Sequence, residues 1–197
     1  MVPPELLTCG QAHLRRWRPD DLAALVAASK ASWEHLRPWM PWAQDEPDEQ
    51  STLPFLHGAQ TDWGTGHAFQ YAVLDAQHRS AVLGSCGLMR RIDAGGLEIG
   101  YWVHVAHTGR GLATAAAAAM TAAGFGLPHV THLEIHVDQA NRPSRAVPAR
   151  LGYAHHATRR KEQQAPGESG QDEVWRMTVD HWPASRAAMI CGDQEGP

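Results

Sequence analysis

The chain has 197 residues, 43% of them hydrophobic, and its 17 Lys and Arg against 21 Asp and Glu give a formal net charge of −4. That is enough chain for one domain with a real core, and basic residues scattered in groups such as Arg15-Arg16 and Arg159-Arg160-Lys161 do not form the footprint of a nucleic-acid binder. No apolar run reaches the roughly 18 residues of a membrane span, and "MVPPELLTCGQAHLRRWRP" lacks the charged start and apolar centre of a signal peptide, so a soluble, cytoplasmic protein is expected.

In chain order, "HLRRWRPDDLAAL" predicts a short strand around Leu14 and Trp17, then a helix capped by Asp20 or Asp21 with Leu22, Leu25 and Val26 on one face. The loop "LRPWMPWAQDEP" leads to a second helix over residues 49–63, which Pro54 is expected to shorten or kink. The period then becomes strand-like. "HAFQYAVLD", "SAVLGSCGLMRR" and "GLEIGYWVHV", separated by "AQHR" and "DAGG", have the pattern of an antiparallel meander. "VTHLEIHVD" is a further strand, with Leu133, Ile135 and Val137 sharing a face, and "YAHHATRRK" and "EVWRMTVDHW" predict the last two. Between them "NRPSRAVPARLGY" predicts a short helix capped by Asn141 with Pro143 in its first turn; Pro148 is expected to kink it, having no N–H for the carbonyl of Ser144.

Residues 1–182 are expected as one domain and 183–197 as a loosely ordered tail. Cys9, Cys86 and Cys191 are odd in number and lack CxxC spacing, the pattern of small buried thiols rather than a disulfide framework or zinc site.

The segment "HTGRGLATAAAAAM" joins two glycines to one of the most helix-prone runs possible, so residues 113–120 should be helical and 108–111 the loop that starts the helix. Gly109 and Gly111 remove side chains where a ligand can approach, and a helix N-terminus offers unpaired N–H donors and partial positive charge. The loop is therefore either a flexible turn or an anion site.

Strand "LEIGYWVHV", this loop and helix, strand "HLEIHV" and "NRPSRAVPARLGY", with "HLRRWRPDDLAAL" and "WEHLRPWMPWA" near the start, together resemble the GNAT superfamily of acyl-CoA-dependent N-acyltransferases. The similarity is to the RimJ/RimL branch of ribosomal-protein N-terminal acetyltransferases, and it covers residues from about 12 to 182. It implies an α/β (α+β) fold with a central, mostly antiparallel mixed sheet of about seven strands, about four flanking helices, and a splayed strand pair that opens an acyl-CoA cleft. It implies acetyl-CoA as co-substrate, no metal, and a monomer or homodimer acting on an amine-bearing acceptor, a protein N-terminus or a small molecule such as an antibiotic.

By the same resemblance, backbone groups of Thr108, Gly109, Arg110, Gly111, Leu112 and Ala113 hold the pyrophosphate, although Thr108 replaces the family's usual Gln or Arg. Main-chain groups of Trp102 and Val103 meet the pantetheine and supply an oxyanion donor, and Asn141 and Ser144 match the family's Asn-x-x-Ser at the far end of the cofactor. Many GNATs carry a tyrosine acid seven residues beyond the Asn, where Pro148 stands here, which leaves Ser144 as the candidate acid for the departing thiolate. Strand alternation puts Glu98, Gly100 and Trp102 on one face, and Glu98 is the first candidate for a base; the other reading is a structural or substrate-orienting carboxylate. Trp39 and Trp42 are candidates for the acceptor wall or for the core, and Glu134 and His136 border the acceptor cleft.

Three rivals stay open. His132, Glu134 and His136 alternate on one strand as a zinc site would, a non-catalytic acyl-CoA sensor would keep the loop without the chemistry, and succinyl is the rival to acetyl as the acyl group.

Overall fold

The computed structural model describes residues 1–75 and 81–192. Eight strands form one sheet: β1 (Leu6–Cys9), β2 (Ala12–Arg16), β3 (Ala68–Leu74), β4 (Val82–Met89), β5 (Gly96–Val103), β6 (His132–Asp138), β7 (Ala154–Arg160) and β8 (Gln171–Thr178). Their spatial order is β1-β2-β3-β4-β5-β6-β8-β7, and every neighbouring pair is antiparallel except β5 and β6. The extra strand relative to the sequence expectation is β1. Its four residues are too few to show a period, and the hairpin with β2 defines them.

Among the described residues the helices are α1 (Leu22–Ala31), α2 (Trp33–Leu36), α3 (Glu49–Thr65), α4 (Leu112–Phe125), α5 (Arg142–Leu151) and α6 (Arg186–Gly192). Pro54 lies inside α3 without shortening it, and the Asp48 carboxylate caps the first turn through the Ser51 N–H at 2.7 Å. The sheet separates two apolar clusters. Leu25, Leu56 and Trp17 pack with α1 and α3 on one side; α4 and α5 cover Leu88, Leu97, Ile99, Leu133 and Ile135 on the other, with α6 packed on α4 and β1.

The alanine run explains how close α4 comes to the sheet. Ala115, Ala116, Ala117, Ala118 and Ala119 are all buried, and a Cβ added at Gly124 would stand 2.8 Å from Leu133. Small side chains let the helix axis settle over β5, which aims its first turn at the mouth of the sheet's one parallel junction.

The chain end departs from the expected loose tail. Residues 182–192 form a 3-10 turn and α6, with Ala187 fully buried, and residues 193–197 lie outside the described residues. Cys9 and Cys191 form a disulfide across a separation of 182 residues, correcting the reading of all three cysteines as simple thiols, and Cys86 stays free and buried. Sequence spacing is silent about pairing at such a distance. Among the described residues, no helix is long and apolar enough to cross a membrane.

Candidate active site

β5 and β6 pair only through Gly96–His132, Leu97–Leu133 and Glu98–Glu134, and beyond Glu98 the strands part. The Gly95 carbonyl accepts from Thr131 on the β6 side and the His104 N–H donates to Leu83 on the β4 side. Alternation then turns the main-chain groups of Ile99, Tyr101 and Val103 into the opening. Val103 thus has the orientation expected of a main-chain donor. Trp102 does not: its backbone faces β4, while its indole lines the cavity beside Trp42 at a ring separation of 6.1 Å.

At one end of the opening, Gly109 and Gly111 adopt φ values of 72° and 79°, left-handed conformations that glycine adopts freely. Gly111 caps α4 without a side-chain hydrogen bond, so the first N–H groups of the helix have no side-chain partner there. The exposed Thr108 hydroxyl donates to the Val105 carbonyl at 3.0 Å, the Arg110 carbonyl accepts from the Gln11 side chain, and the Arg110 side chain is exposed. Leu112 is buried beneath, with Ala113 half-buried above it. Gly10, Gln11, Gly109, Gly111, Thr114 and Arg150 line a recess of about 520 Å³ beside this turn. Arg150 and Gln11 were not foreseen, because nothing in local spacing links them to the glycine loop.

In the middle stands α5. The Asn141 side-chain oxygen Oδ1 caps it, accepting from the Ser144 N–H at 3.2 Å. Pro148 was expected to kink the helix, and α5 continues through it from Arg142 to Leu151. The Ser144 carbonyl that Pro148 cannot serve accepts instead from the Tyr101 hydroxyl at 3.2 Å, and that hydroxyl also lies 3.2 Å from Ser144 Oγ. Burial pushes the Tyr101 phenol well above its ordinary value, so it remains a neutral donor.

At the other end, a cavity of about 1060 Å³ is lined by Trp39, Trp42, Glu98, His136, Ser144 and Asp172, among others. Trp42 is half exposed, whereas Trp39 is partly buried. The register places Glu98 beside Glu134, Glu134 beside Arg176 and Asp138 beside Asp172, which puts all their side chains on one face with His136. Glu98 is 7% exposed and held in a two-pronged grip by Arg91, whose Nε lies 2.7 Å from Oε2 and whose Nη2 donates to Oε1. Glu134 accepts from Arg176 Nε at 2.7 Å and from His136 Nε2 at 2.6 Å. Burial alone would raise the Glu134 carboxyl, but these two donors outweigh it and hold it below the usual glutamate value.

Asp172, which sequence reasoning missed, has the opposite character. Burial raises its carboxyl above the ordinary aspartate value, opposed by Lys161 and His136 and reinforced by Glu98. Among the described residues no group of three or more His, Cys, Asp and Glu is arranged to hold a metal ion. His132 is instead engaged by Asp93 at 2.7 Å.

Residues 12–154 match the acetyltransferase (GNAT) domain family. The chain belongs to that family and is an acyltransferase. Among solved structures it is similar to RimJ of Mycobacterium smegmatis in complex with CoA-disulfide, at 23% identity and a TM-score of 0.82 over 98% of this chain and 97% of that one. It is also similar to RimL, a ribosomal L7/L12 alpha-N-protein acetyltransferase in complex with coenzyme A, at 17% identity and 0.77 over 91% and 99%. A third is the microcin C7 self-immunity acetyltransferase MccE with acetyl-CoA and AMP, at 15% identity and 0.77 over 86% and 93%. No curated protein matches the chain in sequence.

Proposed function

We propose that this protein moves an acetyl group from acetyl-CoA to a primary amine, with a protein N-terminal α-amine as the favoured acceptor. The observation that carries the reading is the β5–β6 opening, with an uncapped glycine-started helix at one end and an acidic, Trp-walled cavity at the other. The residues fit the cofactor. Positive φ at Gly109 and Gly111 and the free first turn of α4 suit a pyrophosphate, and the main-chain groups of Ile99, Tyr101 and Val103 suit an extended amide-bearing arm.

Acetyl-CoA supplies an acyl group activated as a thioester. Thr108, Gly109, Arg110, Gly111, Leu112 and Ala113 hold the phosphates, and Arg110 and Arg150 add positive charge at the recess. The Val103 N–H serves as oxyanion donor. Ser144, with Tyr101 beside it, protonates the departing sulfur, while Asn141 fixes the turn that carries Ser144. Trp39 and Trp42 wall the acceptor, and the carboxylates of the cavity draw in its cationic amine. The expected base Glu98 is better suited to orienting substrate, because the Arg91 guanidinium holds it as a carboxylate through one N–H on each oxygen and leaves the second lone pair of each free to accept.

RimL names an alpha-N-protein acceptor and MccE an antibiotic-immunity role, so both classes belong in the test. Thiol release from acetyl-CoA should be measured across peptides with free N-termini and a panel of small amines, with succinyl-CoA as the competing donor. Turnover with a free-N-terminus peptide supports the reading. Tight acetyl-CoA binding without transfer to any amine would identify an acyl-CoA sensor instead.

A further inference from the structure

The carboxylates around the acceptor cavity are unequal in one respect. Glu98 is gripped by Arg91, and Glu134 by Arg176 and His136. Asp138 accepts from the N–H groups of Ala140, Ser169 and Gly170 and from the Ser169 hydroxyl. Glu168 accepts from Lys161 and from the N–H groups of Gln164 and Ala165. Asp172 has only looser approaches, 3.6 Å to Lys161 Nζ and 3.7 Å to His136 Nδ1, with its side chain 14% exposed.

His136 points the same way. Glu134 is ionised, so the 2.6 Å contact requires Nε2–H as donor, and the neutral ring then carries its lone pair on Nδ1. That nitrogen lies 3.8 Å from Glu98 Oε2 and 3.7 Å from Asp172 Oδ2. Both distances are too long for hydrogen bonds, yet each is short enough for one compact cation to bridge the ring nitrogen to that carboxylate. An unsubstituted ammonium is such a cation, with three N–H donors for three acceptors.

We propose that Asp172 and Glu98 seat the acceptor as a primary ammonium and that His136 Nδ1, held by Glu134, takes its proton. This rests on the acetyl-transfer reading and deepens it, by assigning the base and by restricting the acceptor to amines that arrive as –NH3⁺. The ammonium gives one proton to Nδ1 and becomes a neutral amine. Its lone pair forms the C–N bond to the thioester carbonyl carbon while the C–S bond breaks and its electron pair leaves on sulfur. The new amide nitrogen sheds its second proton to that sulfur by way of Ser144, and the imidazolium returns the first proton to water. The charged groups facing His136 are Glu134 on its own strand, Glu98 with Arg91 from the β5 side, Asp172 and Arg176 from β8, and Lys161 just beyond β7.

The test uses the full chain, acetyl-CoA and a peptide with a free N-terminus. In His136→Gln, kcat/KM should fall by roughly 10² or more and the acidic limb of its pH profile should disappear. In Asp172→Asn, KM for the peptide should rise about tenfold, with acetyl-CoA affinity unchanged. The N-methyl form of the peptide, having lost one donor, should be acetylated at least about tenfold more slowly. NMR titration of the His136 ring adds a readout that needs no acceptor: removing the Asp172 charge should move the ring's titration to lower pH. A folded His136→Gln enzyme with the wild-type pH profile, or a ring titration indifferent to Asp172→Asn, would overturn the proposal. Wild-type protein that binds acetyl-CoA but releases no thiol with any primary amine would overturn the acetyl-transfer reading itself.

Discussion

The two ends of the cleft are built from different parts of the polypeptide. The recess beside Gly109 and Gly111 presents main-chain groups, and the Thr108 hydroxyl is engaged by the Val105 carbonyl at the surface. The cavity beside Trp42 presents side chains, contributed by β5, β6, β8 and the loops before α3 and after β7. A backbone site reads the shape of a ligand that never changes, whereas a side-chain site can be retuned residue by residue for a new acceptor.

Replacing Gly111 with Asp tests the backbone end most severely. Positive φ penalises any side chain there, and a carboxylate would repel phosphate. Wild-type protein at a hundredfold excess of acetyl-CoA over Kd should gain about 2.7 kcal/mol of stability, and Gly111→Asp should lose nearly all of that gain in a thermal-shift titration. Thr108→Ala, which removes only a hydroxyl already bonded to the Val105 carbonyl, should bind acetyl-CoA within about threefold of wild type. Equal losses in the two variants would erase the contrast.

The side-chain end should yield next to Arg176→Ala. Glu134 is 1% exposed, and losing one of its two partners leaves a buried charge half compensated, for a cost of up to roughly 3 kcal/mol in chemical denaturation. Tyr101→Phe should cost about 1–2 kcal/mol, because the Ser144 carbonyl would then lack both its helical donor and the phenol. If that variant is as stable as wild type, the hydroxyl is not what compensates for Pro148.

The smallest effect has the opposite sign. A carboxyl whose folded value is raised binds its proton more tightly in the folded state, so stability falls as pH rises through the raised value and the cost is complete at neutrality. Asp172→Asn should therefore raise Tm at pH 7 by about 2 °C or more while impairing the acceptor KM, and the gain should vanish near pH 3. An unchanged Tm at both pH values would remove Asp172 from the list of groups held against their preference.

This contrast also explains what could be read from the sequence. The glycine loop, α4 and Asn141 are contiguous motifs whose chemistry follows from spacing, and the strand alternation around Glu98 placed it on the cavity face. Arg91, Asp172 and Arg176 are ordinary charged residues in sequence. Arg91 reaches Glu98 through the β4–β5 hairpin, and the roles of Asp172 and Arg176 come from the β6–β8 register, which local periodicity does not encode. Pro148 was read correctly as unable to donate to Ser144, but the remedy lay 47 positions upstream in Tyr101, beyond the reach of any helix rule.

The Cys9–Cys191 bond closes residues 9–191 into a covalent ring. A protease cut anywhere inside that ring leaves one molecule, which would run as a single band until reductant released two fragments. In the chain-entropy picture, a closure of this length removes about 5 kcal/mol of disorder from the unfolded ensemble. The clasp is also local in its reach. Gly10 and Gln11 follow one cysteine and Ile190 precedes the other, and all three line the recess at the glycine loop. Opening the ring would therefore loosen the wall of that recess while leaving the acidic cavity's ion pairs, more than a strand away, covalently untouched.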